Sequence, residues 1–132
     1  MSRPCPCTSK KPYDRCCGPF HAGTAIPETA EQLMRSRFSA YALAKVDYLI
    51  GTRPQAKRVE ENREELAHYC KSVSCVGLKI VGKEKGGPGD DTGVVTFHAS
   101  LQAHGRRSLH IETSTFAREN GKWVYVDGVV KP

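Results

Sequence analysis

No apolar run in this 132-residue chain approaches the ~18 residues of a membrane-spanning helix. Residues 1–12 also lack the apolar stretch of a secretory signal, so the expected location is the cytoplasm. Aromatic residues are scarce at 8%, with one tryptophan, and glycine (12) and proline (8) fall well short of collagen-like or low-complexity levels. Acidic side chains are in deficit, 14 against 20 Lys and Arg, which leaves a net charge of +6. Such a balance can meet nucleic acid, anionic lipid or an acidic protein surface, and is equally an ordinary solubility charge. No recognition-helix signature, aromatic RNA-binding strand or arginine-rich arm accompanies it, and direct binding to nucleic acid is not expected. At this length, with 39% hydrophobic residues, the chain supports one packed domain and a small appendage.

The cysteines mark the appendage. Four of the six, Cys5, Cys7, Cys16 and Cys17, fall within the first seventeen positions. In a reducing compartment such a cluster more often holds a metal than disulfides, and zinc is the default ion for four thiolates. Pro6 fixes the backbone between the first pair, and residues 8–15 form a loop that returns the second pair. Four sulfur ligands make a closed, structural site, and metal binding would supply folding free energy that so polar a segment lacks. The competing readings are a metal-free thiol arm and a disulfide pair. His21 lies near enough in sequence to replace Cys17 as fourth ligand, but the Cys17 thiolate is preferred, because Gly18 and Pro19 lead the chain away. Lys10, Lys11 and Arg15 surround the cluster and are the candidate partner-binding residues. Cys70 and Cys75 read as small core residues.

The run Cys5-Pro6-Cys7, eight residues, then Cys16-Cys17-Gly18-Pro19-Phe20-His21 resembles the SEC-C motif. That zinc module closes the SecA translocation ATPase, where its partner is the chaperone SecB, and is appended to many bacterial proteins. The resemblance implies one structural zinc on residues 5, 7, 16 and 17 and a basic surface that docks a partner.

Downstream, apolar residues at 30, 33, 34, 38 and 41 keep a helical period behind Thr29 as N-cap. Val46–Gly51 reads as a second helix opened near Asp47, and Lys57–Lys71 as a third, with Val59, Leu66, Tyr69 and Cys70 on its inner side and Glu60, Glu61, Glu64 and Glu65 in solvent. From Cys75 the pattern turns to strands: Val76–Gly82, Thr92–Ala103, Ser108–Arg118 and Trp123–Val130. His104-Gly105-Arg106 turns the chain between the second and third, and Asn120-Gly121 marks a tight hairpin. The expected fold class is α+β, with three helices packed on a four-stranded antiparallel meander.

The strings Leu33-Met34-Arg35-Ser36-Arg37-Phe38-Ser39-Ala40-Tyr41, Val46-Asp47-Tyr48-Leu49-Ile50-Gly51-Thr52 and Gly121-Lys122-Trp123-Val124-Tyr125-Val126-Asp127-Gly128 resemble the YchJ family of bacterial proteins. That resemblance implies a SEC-C-like zinc-binding segment over residues 1–24 and a nuclear-transport-factor-2-like domain over 28–132, in which a curved sheet and helices form a cone with a cavity. Some relatives carry a second SEC-C segment. The sequence to Pro132 has one, so no function needing two is expected.

On the third strand His110, Glu112, Ser114 and Phe116 share one face, and Leu109, Ile111, Thr113 and Thr115 the other. The expected arrangement turns the polar face to solvent, with Glu112 and Ser114 anchored to Arg35 or Arg37. Were that face inward, His110 and Glu112 would form a proton-transfer pair that Asp127 could join. The family string reads His-Glu-x-Ser-x-Phe, and Ile111 stands here at the histidine position. His68 and His98 read as packing or surface residues. Trp123 and Tyr125 are expected in the core or a cavity wall. The favoured function is a zinc-binding adaptor whose basic knuckle docks an acidic protein or ribonucleoprotein, the cone serving as scaffold or pairing as a homodimer. The alternative is a small enzyme or ligand-binding protein that uses polar residues in the cone.

Overall fold

The computed structural model describes residues 3–131. Met1, Ser2 and Pro132, which bound the two segments drawn from the sequence, lie outside the described residues. A short 3-10 turn (Tyr13–Arg15) and α1 (Gly18–Ala22) follow the first cysteine pair. Then come α2 (Ala30–Leu43), α3 (Val46–Gly51), α4 (Gln55–Arg58), α5 (Arg63–Ser72), β1 (Ser74–Lys85), β2 (Thr92–Ala103), β3 (Arg106–Glu119) and β4 (Lys122–Val130). The strands form one antiparallel sheet in the order β1-β2-β3-β4. This is the expected α+β meander.

Helix α2 is the spine. Its N-cap is Thr29, which accepts the Gln32 N–H at 3.1 Å, while Gln32 Oε1 accepts the Glu28 N–H at 2.7 Å. Leu33, Met34 and Phe38 on its inner face meet Val95, Phe97, Ala99, Phe116 and Trp123 of the sheet in the main core. Trp123 donates its indole N–H to the Glu28 carbonyl at 3.0 Å, fixing β4 to the start of the spine.

Three sequence expectations are corrected. The third helix does not run unbroken over 57–71. Asn62 caps a new helix by accepting the Glu65 N–H at 2.9 Å, which separates α4 from α5 and leaves Val59 87% exposed. α3 begins without a side-chain cap from Asp47 or Lys45. The first strand is also longer than Val76–Gly82, and irregular pairing near Val76 and Val81 accompanies the extra length.

The hairpin turns set the register. His104 and Gly105 adopt left-handed backbone (φ 53° and 76°), as do Asn120 and Gly121 (φ 54° and 80°), which is the geometry of a two-residue hairpin. The first turn pairs Ala103 with Arg106, and the ladder then places Phe97 opposite Glu112 and Ala99 opposite His110. Directly paired residues share a face. The apolar phase of β2 therefore carries His110, Glu112 and Ser114 inward with it.

Candidate metal centre and polar cavity

The N-terminal loop is closed by backbone bonds from Cys5 N–H to the Lys11 carbonyl (2.9 Å) and from Tyr13 N–H to the Arg3 carbonyl (2.8 Å). The return strand bends at Cys16 (φ −130°, ψ −102°), so that two adjacent cysteines reach one point. The Sγ atoms of Cys5, Cys7, Cys16 and Cys17 all lie within 4.8 Å of one another. A four-thiolate site with bonds of about 2.3 Å sets its sulfurs about 3.8 Å apart. Cys7 and Cys16 stand at 3.5 Å and Cys16 and Cys17 at 3.9 Å, so the cluster fits. The four cysteines could hold a metal ion. His21 is outside the cluster.

The surroundings suit an anionic centre. The Cys17 thiol, with Ser9 and Cys16, stabilises a thiolate on Cys7 and brings its pKa down to about 4, although burial opposes this. The bond with Cys7 and burial push Cys17 up in turn. Ser9 Oγ lies 3.2 Å from Cys16 Sγ and Ser39 Oγ 3.4 Å from Cys5 Sγ, while Arg35 Nη1 donates to the Cys7 carbonyl at 3.1 Å. Ser39 and Arg35 belong to α2, so the knuckle is packed on the cone. Thr8 Oγ1 also reaches the Leu78 carbonyl of β1 at 2.9 Å.

Lys10, Lys11 and Arg15 are exposed beside this centre. Lys11 and Arg15 line a groove, together with Phe20, Arg35, Lys83 and Lys85 and the single carboxylate Glu31. Glu31 is occupied by Arg35 (2.9 Å) and Lys83 (2.8 Å), and these contacts hold its pKa low although burial alone would raise it. Lys10 sits outside the groove wall.

The second site is a cavity of about 360 Å³ between α2, α5 and the sheet. The expectation for β3 is overturned: its polar face points inward, and Leu109, 56% exposed, lies on the outer face. Neither Arg35 nor Arg37 anchors Glu112 or Ser114. Arg35 is taken by Glu31 and Cys7, and Arg37 donates to the Leu49 carbonyl (2.8 Å) and Thr52 Oγ1 (2.6 Å). Glu112 instead accepts His110 Nε2–H on Oε1 (2.9 Å), and Ser114 (2.7 Å) and Tyr125 (2.8 Å) on Oε2. Burial raises the Glu112 pKa, but the three donors outweigh it and leave the carboxyl below its ordinary value. Burial and the adjacent carboxylate push the Tyr125 phenol up.

Gly128 makes room for this network. A Cβ there would fall 2.0 Å from Glu112 Oε2 and 2.6 Å from the Tyr125 hydroxyl. Asp127 does not join: it is exposed and accepts the Gly128 N–H. Cys75 lines the cavity, and burial raises its thiol to about 11, which keeps it protonated and unreactive. Cys70 is buried beside Leu49 and Leu66. His68 is exposed and His98 half-buried.

A cone whose largely apolar cavity holds a buried polar network, with a clustered cysteine module on its spine, defines the class, a SEC-C-type knuckle joined to a nuclear-transport-factor-2-like domain. Residues 29–128 match the model of the YchJ middle NTF2-like domain, and the chain belongs to the YchJ family. A UPF0225 protein of Vibrio parahaemolyticus is 40% identical over 97% of this chain and 75% of its own length. One of Streptomyces coelicolor is 40% identical over 95% and 94%. Among solved structures, a SEC-C motif containing protein from Rhodopseudomonas palustris superposes with a TM-score of 0.86 at 31% identity, covering both chains completely. One from Psychrobacter arcticus gives 0.82 at 26%, covering 100% of this chain and 84% of that one. Among the described residues no helix is long and apolar enough to cross a membrane.

Proposed function

We propose that the protein is a zinc-stabilised adaptor, in which one zinc on Cys5, Cys7, Cys16 and Cys17 holds the segment 1–24 on the domain 28–132 and shapes a docking surface for an acidic protein segment. Zinc follows from the donor set, since four thiolates leave no open position and favour a closed structural site. When bound, the ion cross-links the two ends of the loop, and Arg35 offsets the excess negative charge. The observation that carries docking is the groove: Lys11, Arg15 and Lys85 line it with no carboxylate among the described residues of the wall to neutralise them, because Glu31 is held by Arg35 and Lys83. Lys10 adds positive potential from the exposed loop. Phe20 gives the same wall an apolar contact.

The test is fluorescence anisotropy with a fluorescein-labelled, glutamate-rich peptide on the zinc-loaded chain, with single-stranded RNA of equal length for comparison. Saturable binding that weakens with salt is expected, at least tenfold weaker after combined Lys11→Glu, Arg15→Glu and Lys85→Glu. Equal affinity in the charge-reversed chain, or tighter binding of the RNA, overturns the reading.

The His110, Glu112, Ser114 and Tyr125 network favours a second reading, in which the cone also binds a small molecule. An apolar pocket with a few convergent polar groups is the usual form of such a site.

A further inference from the structure

The two charges in the cavity wall are in opposite states. Glu112 has three donors on its two oxygens. Arg37 is 7% exposed, and both of its hydrogen bonds, to neutral oxygens of Leu49 and Thr52, run through Nη1. Among the described residues no carboxylate stands within 4.0 Å of it. Its guanidinium lies 4.7 Å from the centre of the Tyr125 ring, and the second guanidinium on that ring, Arg53 at 5.0 Å, has Glu61 at 3.6 Å. Burial disfavours the charged form of Arg37, yet a guanidinium stays protonated, so a cation is held in the wall with no carboxylate in contact, Glu61 acting on it only from beyond ion-pair distance.

Its spare donors are accessible. Among the described residues the one sealed side-chain nitrogen or oxygen without a hydrogen bond is Arg53 Nε, which faces Glu61 at ion-pair distance. Arg37 Nη2 and Nε therefore touch open space, and Arg37 lines the cavity. That edge of a guanidinium matches a carboxylate with two parallel bonds. The rest of the wall is largely apolar, including Met34, Phe38, Phe97, Leu101 and Phe116. An ammonium ligand gains little here, because Glu112 is already supplied with donors and Arg37 repels it.

We propose that the cone binds a small organic acid, its single carboxylate on Arg37 and its apolar body against Phe38, Phe97 and Phe116. This rests on the small-molecule reading of the cone. Three probes with one body and different heads test it: 4-phenylbutyrate, 4-phenylbutanol and 4-phenylbutylammonium, each titrated into the 15N-labelled, zinc-loaded full chain and followed by amide NMR shifts. The acid is expected to bind at least tenfold tighter than the alcohol, with shifts centred on Phe97, Glu112 and Tyr125. Arg37→Met should erase the preference for the acid. Ala99→Leu, which fills the cavity and leaves both charges in place, should weaken all three probes and keeps the test decisive if Arg37→Met does not fold. Equal binding of acid and alcohol, or tighter binding of the ammonium, overturns the acid assignment while leaving a ligand-binding cone. Binding of none, or shifts confined to Lys11, Arg15 and Lys85, overturns both.

Discussion

His21 Nε2 donates to the Ser36 carbonyl of α2 at 2.8 Å, and this bond fixes the tautomer of the ring. Nδ1 is then an acceptor and takes the Tyr13 hydroxyl at 2.6 Å. Both nitrogens are used in these bonds, and the ring stands apart from the four-sulfur cluster. Tyr48 packs edge-on at 4.7 Å between ring centres and gives its own hydroxyl proton to Ser36 Oγ at 2.7 Å, because Ser36 Oγ donates to Leu33. The histidine pins the knuckle to the spine.

Protonating His21 at Nδ1 would reverse the Tyr13 bond and place a charge in a buried site, and burial already lowers its pKa below the ordinary 6.5. The folded value is depressed, so this contact's stability is present above 6.5 and is lost as pH falls toward the folded value. Long-range 1H–15N NMR correlation on the ring should show neutral, Nε2-protonated imidazole at pH 6.5. A doubly protonated ring there contradicts the arrangement.

Glu112 follows the same sign on a lower range. Its folded pKa lies below the ordinary 4.5, so its stability is complete above 4.5 and declines as pH drops through the folded value. Thermal unfolding of wild type and Glu112→Gln should differ most near neutrality and converge in acid. A constant gap across pH would show that the carboxylate charge is irrelevant to the network.

Gly128→Ala is expected to cost about 1–3 kcal/mol through overpacking. Its Cβ occupies the space of the Glu112 carboxylate, and both Glu112 and Tyr125 must move. Calorimetry should show a lowered Tm, and the loss should shrink when Glu112→Ala is added, the non-additivity of residues in contact. Two independent, additive losses would contradict the close approach.

Elemental analysis of the purified chain should give one zinc. Acid should release it, since protons compete for thiolates. A thiol reagent should find four more reactive cysteines after chelation than before, and Cys16→Ser should lower zinc retention. A thiol count unchanged by chelation would remove the metal from the account.

The cysteine cluster was legible because chain spacing alone brings Cys5 and Cys7 to Cys16 and Cys17. α2 was legible because one face buries Leu33, Met34 and Phe38 behind a Thr29 cap. The inner face of β3 was not, since its polarity suggested solvent, as it does on most two-sided sheets. The turn at His104-Gly105 held the missing information: once that hairpin fixes register, Phe97 and Ala99 carry Glu112 and His110 to their own side. The break before α5 was hidden for another reason. Asn62 lies within an otherwise helix-compatible run, and its capping bond becomes apparent only with the Glu65 amide beside it. The room made by Gly128 depends on how two strands, β3 and β4, lie against each other, and no local pattern announces it.

Residues 35, 36 and 39 of α2 face the sulfur cluster or the histidine beside it, while residues 34, 37, 38 and 41 line the cone. A single rod of 14 residues is therefore shared between the ion's seat and the pocket wall. An ion on the four cysteines and a ligand in the cone would press on opposite sides of one helix, and any effect of the first on the second would be returned by the same factor.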